Sequence, residues 1–221
     1  ATYGYDLLQI AKEKKVSYLF EASVGGGIPI IRPLKQCLAG NEITEVMGII
    51  NGTTNFILTK MKEEGMDFGE ALQLATDLGY AEADPTADVE GYDAGRKLAI
   101  MASIAFHTPV TFDDVYTEGI TKITVEDMKY AKAMGTTIKL LASSKRQDDR
   151  LYAIVAPCML YAEHPLYGVN GVFNSIFVRG NVLGDAMFYG SGAGKLPTAS
   201  AVVGDIVEAA KNLDRSMMST W

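Results

Sequence analysis

Apolar residues recur at two different spacings in the first part of the chain. They follow a helical period over residues 4–14 and 68–78, which predicts two amphipathic helices. Residues 16–20 form a continuous apolar run and residues 42–51 alternate, so each predicts a short strand. Residues 98–106 are apolar on almost every side, and the helix that contains them should therefore be buried.

The second part of the chain has a more strand-like pattern. After a helix predicted at 125–133, four β-rich runs occur in two pairs, each broken by polar or glycine-containing residues. These runs cover residues 136–144, 151–160, 172–178 and 182–189. Together with the helices, they predict an α/β fold of the α+β type, with a mixed β-sheet covered on one face by helices.

The most highly charged stretch, Gly79 to Lys97, lies directly before the apolar helix. Gly79 is a plausible helix C-cap, and Asp84-Pro85 forces a bend. If a new helix starts near Gly91, Asp93 and Lys97 are four residues apart on one face. The pattern alone fits a solvated Asp–Lys pair, worth about 0.3–0.5 kcal/mol, or a polar pocket with a proton-transferring lysine.

Three further segments contain glycine or threonine next to a predicted helix. Gly25 to Gly27 precede the helix predicted at 29–39, where Pro29 suits the first turn. This glycine run fits a flexible connection or a weak phosphate-binding loop. Thr53 is placed to cap the helix that follows it, or its hydroxyl could face a carboxylate. A glycine turn at 190–194 opens the last helix.

The overall composition excludes several classes of partner. A net charge of -7 without a basic run argues against nucleic acid and against anionic membranes. Two cysteines form no disulfide framework, which favours a reducing, cytoplasmic location. Signal-peptide and membrane-spanning patterns are lacking, so the protein should be soluble. His107 and His164 have no metal-ligand spacing and are interpreted as structural or surface residues.

Four segments in order resemble the homoserine dehydrogenase family over nearly the whole chain. They are FEASVGGGIPII at 20–31, GIINGTTNFIL at 48–58, GYAEADPTADVEGYDAGRK at 79–97 and GSGAGKLPTASAVVGDIV at 190–207. The resemblance implies NAD(P)-dependent interconversion of L-aspartate 4-semialdehyde and L-homoserine, a step toward threonine, methionine and isoleucine. It also implies a homodimer that binds a small amino-acid substrate.

The resemblance also implies roles for individual residues. Lys97 would relay a proton to the carbonyl oxygen, and Asp93 would align the substrate. The remaining contacts would be Glu82, Tyr80, Asp88, Thr53 and Gly52 for the substrate, and Gly192, Ala193 and Gly194 for NADP or NAD. A monovalent cation, sodium, would be bound by the Glu21 carboxylate and the carbonyls of Val24, Gly26 and Ile28.

By the same resemblance, the chain divides into parts of two domains. Residues 1–21 would end a nucleotide-binding Rossmann domain, residues 22–190 would form the substrate-binding, catalytic and dimerisation domain, and residues 191–213 would return as a helix to the nucleotide domain. Residues 214–221 would be a C-terminal tail. Because no G-x-G-x-x-G turn precedes residue 16, most of the nucleotide domain is expected to be missing, with weak cofactor binding as the consequence.

Two other classes of function are compatible with the residues alone. A non-catalytic amino-acid-binding or regulatory module would bind homoserine or threonine without needing Lys97 for any chemistry. A dimerisation scaffold with a merely solvated acidic loop would have no amino-acid affinity. Neither alternative explains why Glu82, Asp93 and Lys97 occur together with the EASVGGG and NGTTN segments.

Overall fold

The computed structural model describes residues 3–213, which form seven α-helices and a six-stranded sheet. The α-helices are α1 (Gly4–Lys14), α2 (Gly52–Glu64), α3 (Phe68–Asp77), α4 (Thr86–Val89), α5 (Tyr92–Phe106), α6 (Val125–Ala133) and α7 (Lys195–Lys211). The strands are β1 (Ile43–Ile49), β2 (Tyr116–Thr117), β3 (Thr136–Gln147), β4 (Arg150–Tyr161), β5 (Phe173–Gly180) and β6 (Gly184–Ser191). Short 3-10 turns occupy Glu21–Ser23 and Phe112–Asp114, and a π-helix occupies Pro33–Cys37.

The sheet has the order β2-β4-β3-β1-β5-β6. All neighbours are antiparallel except β2, which runs parallel to β4. The predicted mixed sheet is therefore confirmed. Since β1 lies at the centre between β3 and β5, the chain segment that leaves β1 enters the middle of the molecule.

Helices cover one face of this sheet. Alternate residues of β3, namely Ile138, Leu140 and Ala142, belong to the main buried core together with most of α2 and α5. In α5 every residue from Leu98 to Phe106 except Ile100 is buried, as the apolar run predicted. Burial of such side chains contributes roughly 1.5–3 kcal/mol each, which makes α5 a firm base for residues at its N-terminus.

The opposite face of the sheet is only partly covered. Leu166 and Val169, from the segment between β4 and β5, pack there against a small cluster that includes Ile49 and Phe177. Large apolar side chains beyond this cluster stay exposed on the same face. They are Tyr152 (51%), Ile154 (41%), Met187 (47%) and Tyr189 (54%).

Some predicted elements differ from the structure. Residues 16–20 are not a strand, because no strand among residues 3–213 pairs with their backbone, and Val16 is exposed. The helix predicted at 29–39 begins at residue 31 and continues as the π-helix, so that Pro29 lies before it. The two predicted strand pairs are present with slightly shifted ends, whereas β2 and α4 were too short to be predicted.

The first and last helices lie at the periphery. Helix α7 contains no fully buried residue, and Arg32 fastens it through ion pairs with Asp205 and Glu208. The Asp205 carboxylate also accepts a hydrogen bond from the Glu21 amide at 2.9 Å. The predicted tail at 214–221 lies outside the described residues. Among residues 3–213, every helix is too short or too polar to cross a membrane.

Candidate active site

One cavity of about 500 Å³ brings together most of the predicted site residues. It lies where the N-termini of α2 and α5 approach the turn between β6 and α7. The predicted substrate and catalytic residues on its wall are Gly52, Thr53, Tyr80, Glu82, Asp88, Asp93 and Lys97. The predicted cofactor residues Gly192, Ala193 and Gly194 line the same cavity and are called its cofactor side below.

The first turns of α5 present the Asp93–Lys97 pair to this cavity. Gly91 lies before the helix with φ 80°, a conformation that favours glycine, and the helix then places the two side chains on one face. Lys97 Nζ lies 2.6 Å from Asp93 Oδ2 and donates a hydrogen bond to the Ile50 carbonyl at 3.2 Å. Both side chains are partly exposed, at 21% and 31%, so they remain accessible to a ligand.

Asn51 connects the acidic residues to α2. Its Nδ2 donates to Asp88 Oδ1 at 2.7 Å and to Asp93 Oδ2 at 3.0 Å. Its Oδ1 accepts from the Thr54 amide and hydroxyl, both at 2.9 Å. One buried amide therefore fixes two carboxylates and also caps the helix.

Thr53 does not cap α2 as predicted. Asn51, not Thr53, is the N-cap of α2, because the helix begins at Gly52, two residues before the start that a Thr53 cap would give. The Thr53 hydroxyl instead donates to the Tyr80 carbonyl at 2.7 Å, which fixes the loop that carries Tyr80. The amides of Gly52 and Thr53 have no acceptor among residues 3–213 and can receive an anionic group.

The acidic side chains give the cavity a predominantly negative charge. Glu82 is exposed, and Asp84 accepts a hydrogen bond from the Thr86 amide at 3.1 Å. Hydrogen bonds from Thr86 lower the pKa of Asp84, so this carboxylate is charged at neutral pH. Arg96 and Lys97 are the cationic side chains on the wall. The arrangement favours a ligand with an ammonium group.

The cofactor side consists mainly of backbone. Gly192 fits so closely against β5 that a Cβ built on it would lie 1.9 Å from Asn174 Nδ2. On its other side, a Cβ on Gly26 would lie 2.4 Å from the Gly192 carbonyl oxygen. Only glycine fits either position, so the predicted cation loop and the predicted cofactor turn pack directly against each other.

Glu21 lies outside the cavity and already has hydrogen-bond donors. Its buried carboxylate accepts from the amides of Ile30, Ile31 and Arg32 at 2.6–2.8 Å, and thus caps the helical segment that follows. The carbonyls of Val24, Gly26 and Ile28 accept no hydrogen bond from residues 3–213. This oxygen set has the chemistry that a hard cation prefers.

A second polar network lies behind the substrate wall. Asn55 of α2 donates to the carbonyls of Val169 and Phe173, and its Oδ1 accepts from Lys139 Nζ at 3.0 Å. The buried Lys139 ammonium also donates to Val169 and Asn170. Burial lowers the pKa of Lys139 to about 8, reinforced by the charge of Lys62 and opposed by that of Glu63.

The sequence analysis missed several residues of the site. Of these residues, Asn51 could have been predicted from the sequence, since an asparagine directly before a helix is a strong N-cap candidate. Arg96, Val172 and Ser191 also line the cavity. The position of the last two depends on the pairing of β5 with β6, which local patterns do not reveal.

A family model described as homoserine dehydrogenase matches residues 29–207. The chain belongs to the homoserine dehydrogenase family. A relative named homoserine dehydrogenase from Mycobacterium tuberculosis (strain ATCC 25618 / H37Rv) is 55% identical over 217 residues, covering 96% of this chain and 49% of the relative. The family resemblance expected from the four sequence segments is thereby confirmed.

Solved structures agree with this assignment. A homoserine dehydrogenase from Thiobacillus denitrificans matches with a TM-score of 0.94 and 44% identity, covering 96% of this chain and 49% of that one. A hyperthermophilic archaeal homoserine dehydrogenase mutant in complex with NADPH matches with a TM-score of 0.81 and 32% identity, covering 95% and 60%. The chain thus spans about half the length of the curated relatives it matches.

Proposed function

We propose that the chain is the substrate-binding and catalytic part of a homoserine dehydrogenase, which interconverts L-aspartate 4-semialdehyde and L-homoserine. The observation that carries this proposal is that the Asp93–Lys97 pair and the Gly192–Gly194 turn line one and the same cavity. This reaction requires a proton-transferring group and a cofactor-binding backbone next to the same bound substrate. The proposed setting is the cytoplasmic synthesis of threonine, methionine and isoleucine.

The three polar groups of homoserine have matching partners on the substrate wall. The free amides of Gly52 and Thr53 at the N-terminus of α2 suit its carboxylate. Glu82 and Asp88 suit its ammonium group, because both are anionic and face the cavity. The hydroxyl that is oxidised then lies toward Asp93 and Lys97, and Tyr80 closes the wall.

Lys97 is the proposed proton relay. In the direction of alcohol oxidation, its neutral amine removes the hydroxyl proton as the carbonyl forms; in the reverse direction, its ammonium gives the proton back to the oxygen. Asp93 holds Nζ at 2.6 Å, and Asn51 in turn holds Asp93. Because these contacts exist without a ligand, Lys97 needs little reorganisation when the substrate binds.

NADP or NAD supplies the hydride acceptor or donor when it is bound. The side-chain-free turn at Gly192 and Gly194 fits a close approach by the nicotinamide end of such a cofactor. A nucleotide-binding domain formed with the segment before residue 22 would hold the rest. The exposed apolar residues of α1 and α7, such as Ile10 and Ile206, suit contact with that domain.

A monovalent cation, sodium, is proposed next to this turn. The free carbonyls of Val24, Gly26 and Ile28 support it, and so does the anionic carboxylate of Glu21. Since that carboxylate already caps a helix, the carbonyls would provide most of the ligands. The cation would stabilise the loop against which Gly192 packs.

A homodimer is proposed through the open face of the sheet. Ile154, Met187 and Tyr189 are exposed there, on strands whose other side faces the core. An apolar sheet face of this kind is commonly covered by a second copy in a symmetric dimer. The cavity opens beside the helices, so pairing through this face would leave it accessible.

Calorimetric titration of L-homoserine into the chain tests the function, with sodium present and with NADP alternately present and absent. We expect saturable binding that Asp93→Ala weakens about a hundredfold. Lys97→Ala should instead retain binding but prevent turnover when a nucleotide-binding domain is added in trans. Restored turnover with Lys97→Ala would contradict the proposal and favour an amino-acid-binding module. No binding to the unaltered chain and no turnover with the added domain would contradict it outright.

A further inference from the structure

Asn174 carries a buried amide without a hydrogen-bond partner. It lies near the start of β5, opposite Gly190 of β6, and is 1% exposed. Neither Nδ2 nor Oδ1 makes a hydrogen bond within the described residues 3–213. Such orphaned polar atoms are uncommon in protein interiors, and their burial opposes folding. An apolar side chain of similar size would avoid that cost, so the amide calls for an explanation.

The amide lies directly behind the wall of the cavity. A Cβ built on Gly192 would lie 1.9 Å from Nδ2, and one built on Gly52 would lie 3.7 Å from Oδ1. Gly52 belongs to the substrate side of the cavity and Gly192 to the cofactor side. Asn174 therefore touches the backbone where the two sides of the cavity meet.

Another buried asparagine shows that pairing is possible in this part of the fold. Asn55 is also 1% exposed, yet both ends of its amide have partners. The remaining orphaned side-chain atoms among residues 3–213 are hydroxyls of β3, on Thr137 and Ser144. Neither of these residues lines the cavity. Asn174 is thus distinguished by both its full lack of partners and its location.

The backbone at Gly192 packs closely against the Asn174 amide. It is held from the other side by the glycine loop, where the Gly27 amide donates to the Ser191 carbonyl at 3.1 Å. Peptide N–H and C=O groups can pair with both ends of a side-chain amide. A small shift of the turn would convert the present packing contact into hydrogen bonds.

We propose that Asn174 is a positioning residue for the cofactor. When a nicotinamide dinucleotide contacts the Gly192–Gly194 turn, the peptide groups of the turn move into hydrogen-bond distance of the Asn174 amide. The newly formed bonds then hold the turn in its ligand-bound position. Asn174 acts through the turn and touches neither the substrate nor the cofactor. The identity of the ligand rests on the proposed function.

The test compares Asn174→Leu, which keeps the approximate size but removes both polar atoms, with the control Ser144→Ala. The thermal midpoint is measured without ligand. NADPH binding, into the millimolar range, and L-homoserine binding are then measured separately by nuclear magnetic resonance. For Asn174→Leu we expect an unchanged or higher midpoint, an NADPH dissociation constant raised about tenfold, and unchanged homoserine affinity. Ser144→Ala should change neither affinity.

Other results would contradict the positioning role of Asn174 or separate it from the proposed substrate. Unchanged NADPH affinity in Asn174→Leu would overturn the inference. A lowered thermal midpoint would overturn it as well, because the amide would then stabilise the free chain, for example through a bound water. If the unaltered chain binds homoserine but no NADPH, the positioning role is wrong and the substrate site stands. If it binds NADPH but not homoserine, the proposed substrate is wrong. The NADPH affinity of Asn174→Leu still tests the role of Asn174 in that case.

Discussion

The two sides of the cavity differ in whether their buried side-chain amides have hydrogen-bond partners. On the substrate side, Asn51 and Asn55 use both ends of their amides, and the bonds reach Asp88, Asp93 and Lys139. On the cofactor side, the turn is bare backbone, and the amide behind it has no partner. The substrate side is thus organised in advance, whereas we propose that the cofactor side gains its contacts when a ligand or a further domain arrives.

The largest expected effect is a loss of folding stability when a paired amide of the substrate side is replaced. Asn55→Leu would remove three buried hydrogen bonds, to Lys139 and to the carbonyls of Val169 and Phe173, although Lys139 keeps Val169 and Asn170 as acceptors. Each lost bond costs about 1–3 kcal/mol. We expect the free energy of unfolding to fall by about 4 kcal/mol, measured by urea denaturation. Asn174→Leu is the matched control, since it alters a residue of equal exposure. Equal losses in both variants would remove the distinction between the two sides.

The second effect is a pH dependence from Lys139. Its pKa is about 8 in the folded chain, against 10.5 for an ordinary lysine. Between these values the unfolded chain binds more protons than the folded one, so stability should rise with pH by about 3 kcal/mol from this group. Unfolding experiments from pH 7 to 11 on the chain and on Lys139→Met would isolate that rise. The same pH profile in both would show that Lys139 titrates normally.

The third effect concerns ligand binding on the substrate side. Asp93→Ala removes a carboxylate that contacts Asn51 and Lys97, and we expect about a hundredfold loss of L-homoserine affinity by calorimetry. Glu64→Ala is a suitable control, because Lys60 and Glu64 form another four-residue-spaced pair on α2, away from the cavity. A similar loss in the control would point to a general electrostatic effect instead of a local site.

The smallest effect concerns the packing of the turn. In Gly192→Ala the new methyl group would overlap the Asn174 amide, which should destabilise the chain by about 1–3 kcal/mol and weaken NADPH more than homoserine binding. Gly168→Ala adds a methyl group with no neighbour within 4 Å and should change neither. Thermal unfolding and the two titrations measure these effects. Equal weakening of both ligands would mean that the turn supports the whole cavity.

Local patterns predicted the parts of the fold and site that depend on neighbouring residues. The burial of α5 and the facing side chains of Asp93 and Lys97 follow from helical spacing alone. The pairing of β3 with β4 follows from two strand patterns and a polar turn. Family resemblance then added the roles, several of which stay predictions, including the sodium ligands and the domain boundaries.

Other features depended on residues far apart in the sequence. The apolar run predicted a strand at residues 16–20, but a strand forms only where another backbone pairs with it, and these residues have no such partner among residues 3–213. The choice of Asn51 over Thr53 as cap depended on a difference of two residues in where the helix begins. Asn174 gave no signal at all, because its surroundings come from Gly52 and Gly192, which only the folded sheet brings together.

The attachment of α7 has a consequence for the behaviour of the chain in salt. This helix buries no residue completely, and charges on Asp205 and Glu208 hold it to Arg32. Arg32 is 33% exposed and its partners are 14% and 16% exposed, so mobile ions screen these pairs in part, while they act little on the apolar core beneath α2 and α5. Rising ionic strength therefore weakens the attachment of the helix that follows the Gly192–Gly194 turn, and it also screens the Asp93–Lys97 pair, whose side chains are 31% and 21% exposed. Salt thus acts on the charged contacts of both sides of the cavity, while the apolar core stays intact.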